Sequence, residues 1–147
     1  MQISADSESY RCLDSDGIFH QSLNGFTPRE SQCEMAESVE RCLVDCGQLV
    51  VESGTGTGKT FAYLVPIVLQ GKRSIISTAT KHLQEQIFNR DLPVVSQTLG
   101  RPLDAVLLKG RSNYLCRYRL EQEIFWGLLI PFVIPPTCLS HKGSIIF

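Results

Sequence analysis

The 147-residue chain has almost no net charge: fourteen Lys and Arg stand against fifteen Asp and Glu, for a formal charge of −1. That balance removes any bulk electrostatic signal for nucleic acid, though a protein that grips DNA in a local groove does not need a basic total. The six cysteines, at 12, 33, 42, 46, 116 and 138, include no CxxC pair. The polar start, Met1 to Asp16, lacks an apolar core that could serve as a secretory signal. Free thiols in a reducing cytoplasm are therefore expected. No unbroken apolar run exists either. The longest stretch, Ile124 to Leu139, is interrupted by Gly127, Pro131, Pro135 and Pro136 and is too short to span a bilayer comfortably, so no membrane association is expected.

What is present is an ordinary globular composition, 43% hydrophobic and 20% charged. A chain of this length buries roughly 70% of its unfolded surface when folded, enough for one domain with a real core. Residues 1–24 read as a mixed, partly ordered lead-in. Thr27-Pro28-Arg29-Glu30 reads as a helix start, with Thr27 as N-cap, Pro28 in the first turn and Glu30 completing a capping box. Met35, Ala36, Val39 and Leu43 follow at helical spacing, and Gly47 is the expected stop.

Gln48–Glu52, Ser74–Thr78 and Leu103–Leu108 are short and β-prone and are expected as strands. Thr60–Leu69 is an expected helix, with Pro66 as a kink or early end. Lys81–Asp91 is expected as a helix with Leu83, Ile87 and Phe88 on its apolar side, and Asn113–Phe125 as another. Strands alternating with helices predict an α/β fold built on a parallel sheet.

The chemistry lies between the first strand and its helix. Ser53-Gly54-Thr55-Gly56-Thr57-Gly58-Lys59-Thr60 is a glycine-rich turn ending in Gly-Lys-Thr. Glycines let successive backbone N–H groups point inward without a Cβ clash, and those groups, with the helix N-terminus, surround phosphates. Lys59 would reach the β- and γ-phosphates of ATP, and Thr60 would place its hydroxyl on Mg²⁺. The strict phosphate-loop pattern wants glycine where this chain has Ser53, a residue nearly as small.

Four segments narrow the class: FTPRESQCEM over 26–35, VESGTGTGKT over 51–60, ISTATK over 76–81 and LLKGRSNYLC over 107–116. In this order they resemble the DinG/YoaA branch of the XPD-like iron–sulfur DNA helicases of superfamily two, from about Gly17 to about Gln122. The resemblance implies an incomplete RecA-like ATP-binding motor domain over 25–123, after the 1–24 lead-in. It implies an ATP-dependent helicase moving 5′ to 3′ on single-stranded DNA in repair or replication, and leaves any protein partner unnamed. It assigns adenine reading to Arg29 and Gln32. A glutamine amide can pair in both directions with an adenine edge, whereas on its own such a glutamine is more often a solvated helix residue. Ser77, Thr78, Thr80 and Lys81 would touch the DNA backbone, although short hydroxyls ahead of a helix also serve as caps. Cys116 matches the first ligand of the family's 4Fe-4S cluster, which needs four thiolates. Only Cys138 follows it, so Cys116 is expected to be an orphan ligand and a free thiol. The other four cysteines read as half-buried small apolar residues.

Two features depart from the family. The Asp-Glu-x-His run that activates water and holds Mg²⁺ in these motors does not occur in the chain. All fifteen acidic residues precede Ile124, and 124–147 is an apolar tail without resemblance. The tail reads as the product of a truncated or frameshifted gene, which translation of the downstream DNA in three frames would test. The expectation for this chain is nucleotide binding without unwinding. A small non-catalytic nucleotide-binding or interaction module, or another P-loop NTPase, is the alternative.

Overall fold

The computed structural model of the chain describes residues 7–125. The apolar tail expected from 124 onward falls, from residue 126, outside the described residues, and Cys138 with it. Seven α-helices run along the described chain: α1 Glu8–Leu13, α2 Ile18–Ser22, α3 Glu30–Asp45, α4 Lys59–Gln70, α5 Lys81–Gln86, α6 Leu92–Leu99 and α7 Arg117–Phe125.

The lead-in is helical rather than partly ordered. Helices of six and five residues do not hold in water by themselves, so α1 and α2 depend on tertiary contacts. Ser7 caps α1, its Oγ accepting from Tyr10 N at 3.2 Å. The Glu40 carboxylate on α3 accepts from Ser7 Oγ at 2.5 Å and from Ser9 N at 3.0 Å, so a negative group sits against the first turn of α1. Burial pushes the Glu40 carboxyl up, but the hydrogen bonds from Ser7 and Ser9 outweigh it and hold the group below its ordinary range. Leu13 and Phe19 of this segment are fully buried, whereas Ile18 faces solvent. Between them the chain turns so tightly that a Cβ on Gly17 would lie 2.3 Å from the Cys12 carbonyl oxygen.

Helix α3 begins at Glu30, with extended Arg29 as N-cap and no side-chain cap. The expected Thr27–Glu30 capping box therefore does not form. Glu30 instead accepts from the Tyr10 hydroxyl at 2.9 Å, and this bond, more than burial, pushes the Tyr10 phenol up to about 12. The helix ends at Cys46, left-handed at φ 52°, one residue before the expected stop. Helix α4 continues past Pro66 to Gln70, so the proline does not end it. A proline inside a helix costs about 3 kcal/mol. Here Pro66 is buried among Leu64, Val65 and Val68, and that burial offsets the lost backbone bond. The core lies where α3 and α4 pack together, closed by α1, α2 and α6.

The helix expected over 81–91 is longer and of two kinds. After α5 the chain widens into a π turn, Ile87–Asp91, and continues as α6, which the sequence reading did not include. Pro93 explains the change: it has no N–H for the preceding turn, and the π turn re-spaces the ladder just before it. Asp91 is buried at this turn and accepts from Arg90 Nε at 2.8 Å and from Gln86 Nε2 at 3.1 Å. Near the end of the described chain, the helix expected from Asn113 splits into a 3₁₀ turn, Arg111–Asn113, and α7.

None of the three expected strands forms among the described residues. The segments 48–52, 74–78 and 103–108 carry no regular element, and bridge-type pairing is confined to single residues, Ile75 and Val106. A strand exists only through its neighbours, and 48–52 has no strand neighbour among the described residues: Val50 is 97% exposed, although its apolar character suits a sheet interior. The described architecture is thus a helical layer, with no sheet among the described residues.

Candidate nucleotide-binding site

Residues 53–58 form the loop that enters α4. Gly56 and Gly58 take left-handed backbone angles, φ 75° and 84°, which L side chains rarely adopt. Gly58 is also the N-cap of α4, its carbonyl accepting from Ala62 N at 3.2 Å. The loop is closed on itself by short hydroxyls. Ser53 Oγ and Thr57 Oγ1 lie 2.6 Å apart, and Thr57 Oγ1 donates to the Gly54 carbonyl at 3.0 Å. Ser53, the departure from the strict pattern, therefore contributes a hydroxyl that a glycine could not supply.

The charged residue of the loop is folded over it. Lys59 Nζ donates to the Ser53 carbonyl at 3.1 Å and also to the Gly54 carbonyl. Two side chains brace the loop from outside: Arg29 Nη1 donates to the Gly56 carbonyl, and Gln32 Nε2 to the Gly58 carbonyl at 2.9 Å. The two residues assigned by resemblance to adenine thus both end on the phosphate loop. Gln32 does so from the buried face of α3, only 3% exposed. The contact is close: a Cβ on Gly58 would lie 2.3 Å from Gln32 Nε2.

Three aromatic rings set the start of α4 in place. Phe19 on α2 lies 5.9 Å from Phe26 and 5.7 Å from Phe61, and Phe26 and Phe61 are 6.2 Å apart, all tilted. Such pairs add about 0.5–1.5 kcal/mol beyond area burial. They lock Phe61, next to Thr60, against the lead-in helices. Thr60 is half-buried and hydrogen-bonds the Tyr63 hydroxyl; burial raises the Tyr63 phenol and the Thr60 bond partly offsets this. Sequence reasoning missed Tyr63, which follows the motif by one helical turn and carries no pattern of its own.

The donor set fits a phosphate group with its magnesium. Left-handed glycines at the loop, an ammonium already lying across it and a hydroxyl at the first turn of α4 are the groups such a ligand needs. Any bound phosphate would take Lys59 from its two carbonyls.

The remaining candidates lie elsewhere. Thr80 caps α5, its Oγ1 accepting from Leu83 N at 3.2 Å, while Thr78 Oγ1 donates to the Thr80 carbonyl at 3.2 Å. The capping role weighed for this segment is therefore real for Thr80. Ser77 and Lys81 are exposed beside them. Cys116 is exposed just before α7, and among the described residues no group of three or more His, Cys, Asp or Glu could hold a metal. The described residues thus do not fit a 4Fe-4S cluster. Of the other cysteines, Cys33 is buried, Cys12 and Cys42 are half-buried, and Cys46 is exposed, against expectation, because it terminates α3. Among the described residues no helix is long and apolar enough to cross a membrane.

Comparison with known proteins identifies the family. The DEAD/DEAH box helicase family profile matches residues 32–123, from Gln32 through the phosphate loop to α7. The chain is 51% identical over 114 residues to the ATP-dependent DNA helicase YoaA of Haemophilus influenzae, covering 78% of this chain and 18% of that protein. It is 50% identical over 119 residues to the protein of the same name from Escherichia coli, covering 81% and 19%. It is also 39% identical over 106 residues to a Bacillus subtilis protein named 3′-5′ exonuclease DinG, covering 69% and 11%. The chain thus spans less than a fifth of the length of these relatives. No solved structure matches it. The matched profile, which covers more than half of the chain, shows that the chain belongs to the DEAD/DEAH box helicase family, with YoaA and DinG proteins among its relatives.

Proposed function

We propose that the chain is the nucleotide-binding part of an ATP-dependent DNA helicase motor. In this reading Lys59 holds the β- and γ-phosphates, Thr60 holds Mg²⁺, and the N–H groups of Ser53–Gly58 cradle the phosphate oxygens. Bound Mg²⁺ would neutralise charge developing on the phosphates. Arg29 and Gln32 read adenine while bracing the loop, so base recognition and loop geometry are coupled through the same two side chains. Ser77, Thr78, Thr80 and Lys81 contact the backbone of single-stranded DNA, and translocation runs 5′ to 3′ as in the DinG/YoaA branch. The protein works in repair or replication in the cytoplasm, and Cys116 acts as a 4Fe-4S ligand only where three further thiolates accompany it.

The sheet belongs to the same proposal. Segments 48–52, 74–78 and 103–108 become strands of a RecA-like domain when neighbouring strands are present, and the single bridge residues Ile75 and Val106 support this. Residues 25–123 would make up that domain.

The observation that carries the reading is the phosphate loop at the start of α4, with Gln32 donating to Gly58. Phosphoryl transfer rests on positioning and electrostatics, and this sequence holds no Asp-Glu-x-His run to position water. The expected result is therefore ATP binding with no DNA-stimulated hydrolysis, measured on the full chain with and without single-stranded DNA. Failure to bind ATP would refute the reading. Turnover stimulated by DNA would show that residues not assigned here supply the catalytic acid.

A further inference from the structure

A groove of about 370 Å³ lies between the Ser77–Lys81 segment and a second segment, Leu108–Asn113, to which no role has been given. The two walls are tied together. Gln84 Nε2 on α5 donates to the Leu108 carbonyl at 2.8 Å, and Lys109 Nζ pairs with Glu85 Oε1 at 2.5 Å. The second wall is braced internally. Lys109 N donates to the Tyr114 hydroxyl at 2.8 Å, and Asn113 Nδ2 to the Gly110 carbonyl at 3.0 Å.

The lining chemistry selects a ligand class. Ser77 and Thr80 offer hydroxyl protons, Asn113 an amide, and Lys81 and Lys109 positive charge, while Thr78 donates to the Thr80 carbonyl. Among the described residues that line the groove none is aromatic, so its walls offer hydrogen bonds and charge rather than stacking faces. Glu85 on α5 is a carboxylate beside it, paired with Lys109. Its carboxyl is held below the ordinary range chiefly by the hydrogen bond and charge of Lys109, with His82 and Lys81 adding to the effect. Lys81 and Lys109 at the groove outnumber Glu85, so the formal local charge is positive although that of the whole chain is not. That pattern suits a phosphodiester backbone read without regard to base.

We infer that Lys109 and Asn113 form a second wall of the single-strand backbone site, and that Glu85 holds Lys109 in place while competing with DNA phosphate for it. The inference rests on the reading of Ser77–Lys81 as a DNA contact. It adds the opposite wall and the competing carboxylate.

The test uses the full chain and an end-labelled oligothymidylate of about 16 nucleotides, the upper site size of a single binding fold. Binding is followed by fluorescence anisotropy from about 50 to about 200 mM salt. Lys109→Gln should weaken binding on the order of threefold to tenfold at low salt and reduce the salt slope by about 0.7, the loss of one phosphate contact. Glu85→Gln should tighten binding, because the lysine loses its competitor, and Lys109→Arg should retain it. ATP affinity and the melting curve of each variant should match the parent. Unchanged affinity and slope in Lys109→Gln, with Lys81→Gln still weakening binding, would overturn the second wall and leave the first intact. No tightening in Glu85→Gln would overturn the competition even if Lys109→Gln failed to fold. A parent chain that binds ATP but no oligonucleotide would overturn both walls.

Discussion

Replacing Gly58 with alanine puts the contact between α3 and the phosphate loop under direct strain. The substituted residue would have to hold φ 84°, which costs an L-residue about 1–2 kcal/mol. Its Cβ would also meet Gln32 Nε2 at 2.3 Å and Cδ at 2.7 Å. The far end of a glutamine can move, so the chain yields there rather than in the backbone. Gln32 is only 3% exposed, however, and leaving the Gly58 carbonyl strands a buried amide. That loss costs about 1–3 kcal/mol, which brings the total to about 2–5 kcal/mol. A domain of this kind has about 5–15 kcal/mol of stability to lose.

The two parts separate in a double-mutant cycle read by urea denaturation with unchanged m-value. Gln32→Ala alone removes the bond. In that background Gly58→Ala should cost only the backbone part, about 1–2 kcal/mol. The two substitutions should therefore be less than additive by about 1–3 kcal/mol. Strict additivity would refute the claim that Gln32 and Gly58 act as a unit.

Two further outcomes follow from the packing of the described residues. Glu40→Gln should destabilise the chain at neutral pH by about 1–3 kcal/mol, since a carboxylate accepting two bonds at the start of α1 becomes neutral. The folded-state carboxyl is depressed below its ordinary 4.5, so this stabilisation is present above that value and disappears as pH falls through the folded-state one. Denaturation curves of parent and variant should converge in acid, and a difference that persists there would contradict the assignment. An aromatic disulfide reagent should label Cys46 and Cys116, both exposed, and spare Cys33 until the chain unfolds. Burial shields Cys33 and pushes its thiol up to about 11. Equal labelling rates in peptide mass spectra would rule this out.

What the sequence could convey depends on how local each signal is. The phosphate loop was legible because its glycines, Lys59 and Thr60 are contiguous and each has a reason to be there. Helices α3 and α4 were legible through their apolar spacing, though Pro66 suggested an end that burial overrides. The lead-in was not legible, because α1 and α2 are too short for a periodic pattern and are held by partners far along the chain, Glu40 and Phe61. Helix α6 was hidden behind Pro93, which marks a boundary in sequence but only a π turn in the fold. The strand-like segments show the reverse case. Their composition records burial on two faces, but pairing depends on neighbours, and Val50 is left in solvent. The tie of Arg29 and Gln32 to the loop also lay beyond sequence reasoning, since 27 and 26 residues separate the bonded partners.

The central claim is that the loop before α4 binds ATP phosphates through Lys59. Calorimetric titration of ATP with Mg²⁺ into the full chain and into Lys59→Ala tests it most directly, with the melting curve confirming that the variant is folded. The account predicts a loss of affinity on the order of ten- to a hundredfold, the contribution of a charged hydrogen-bonding group to a phosphate. Unchanged affinity in the folded variant would contradict it.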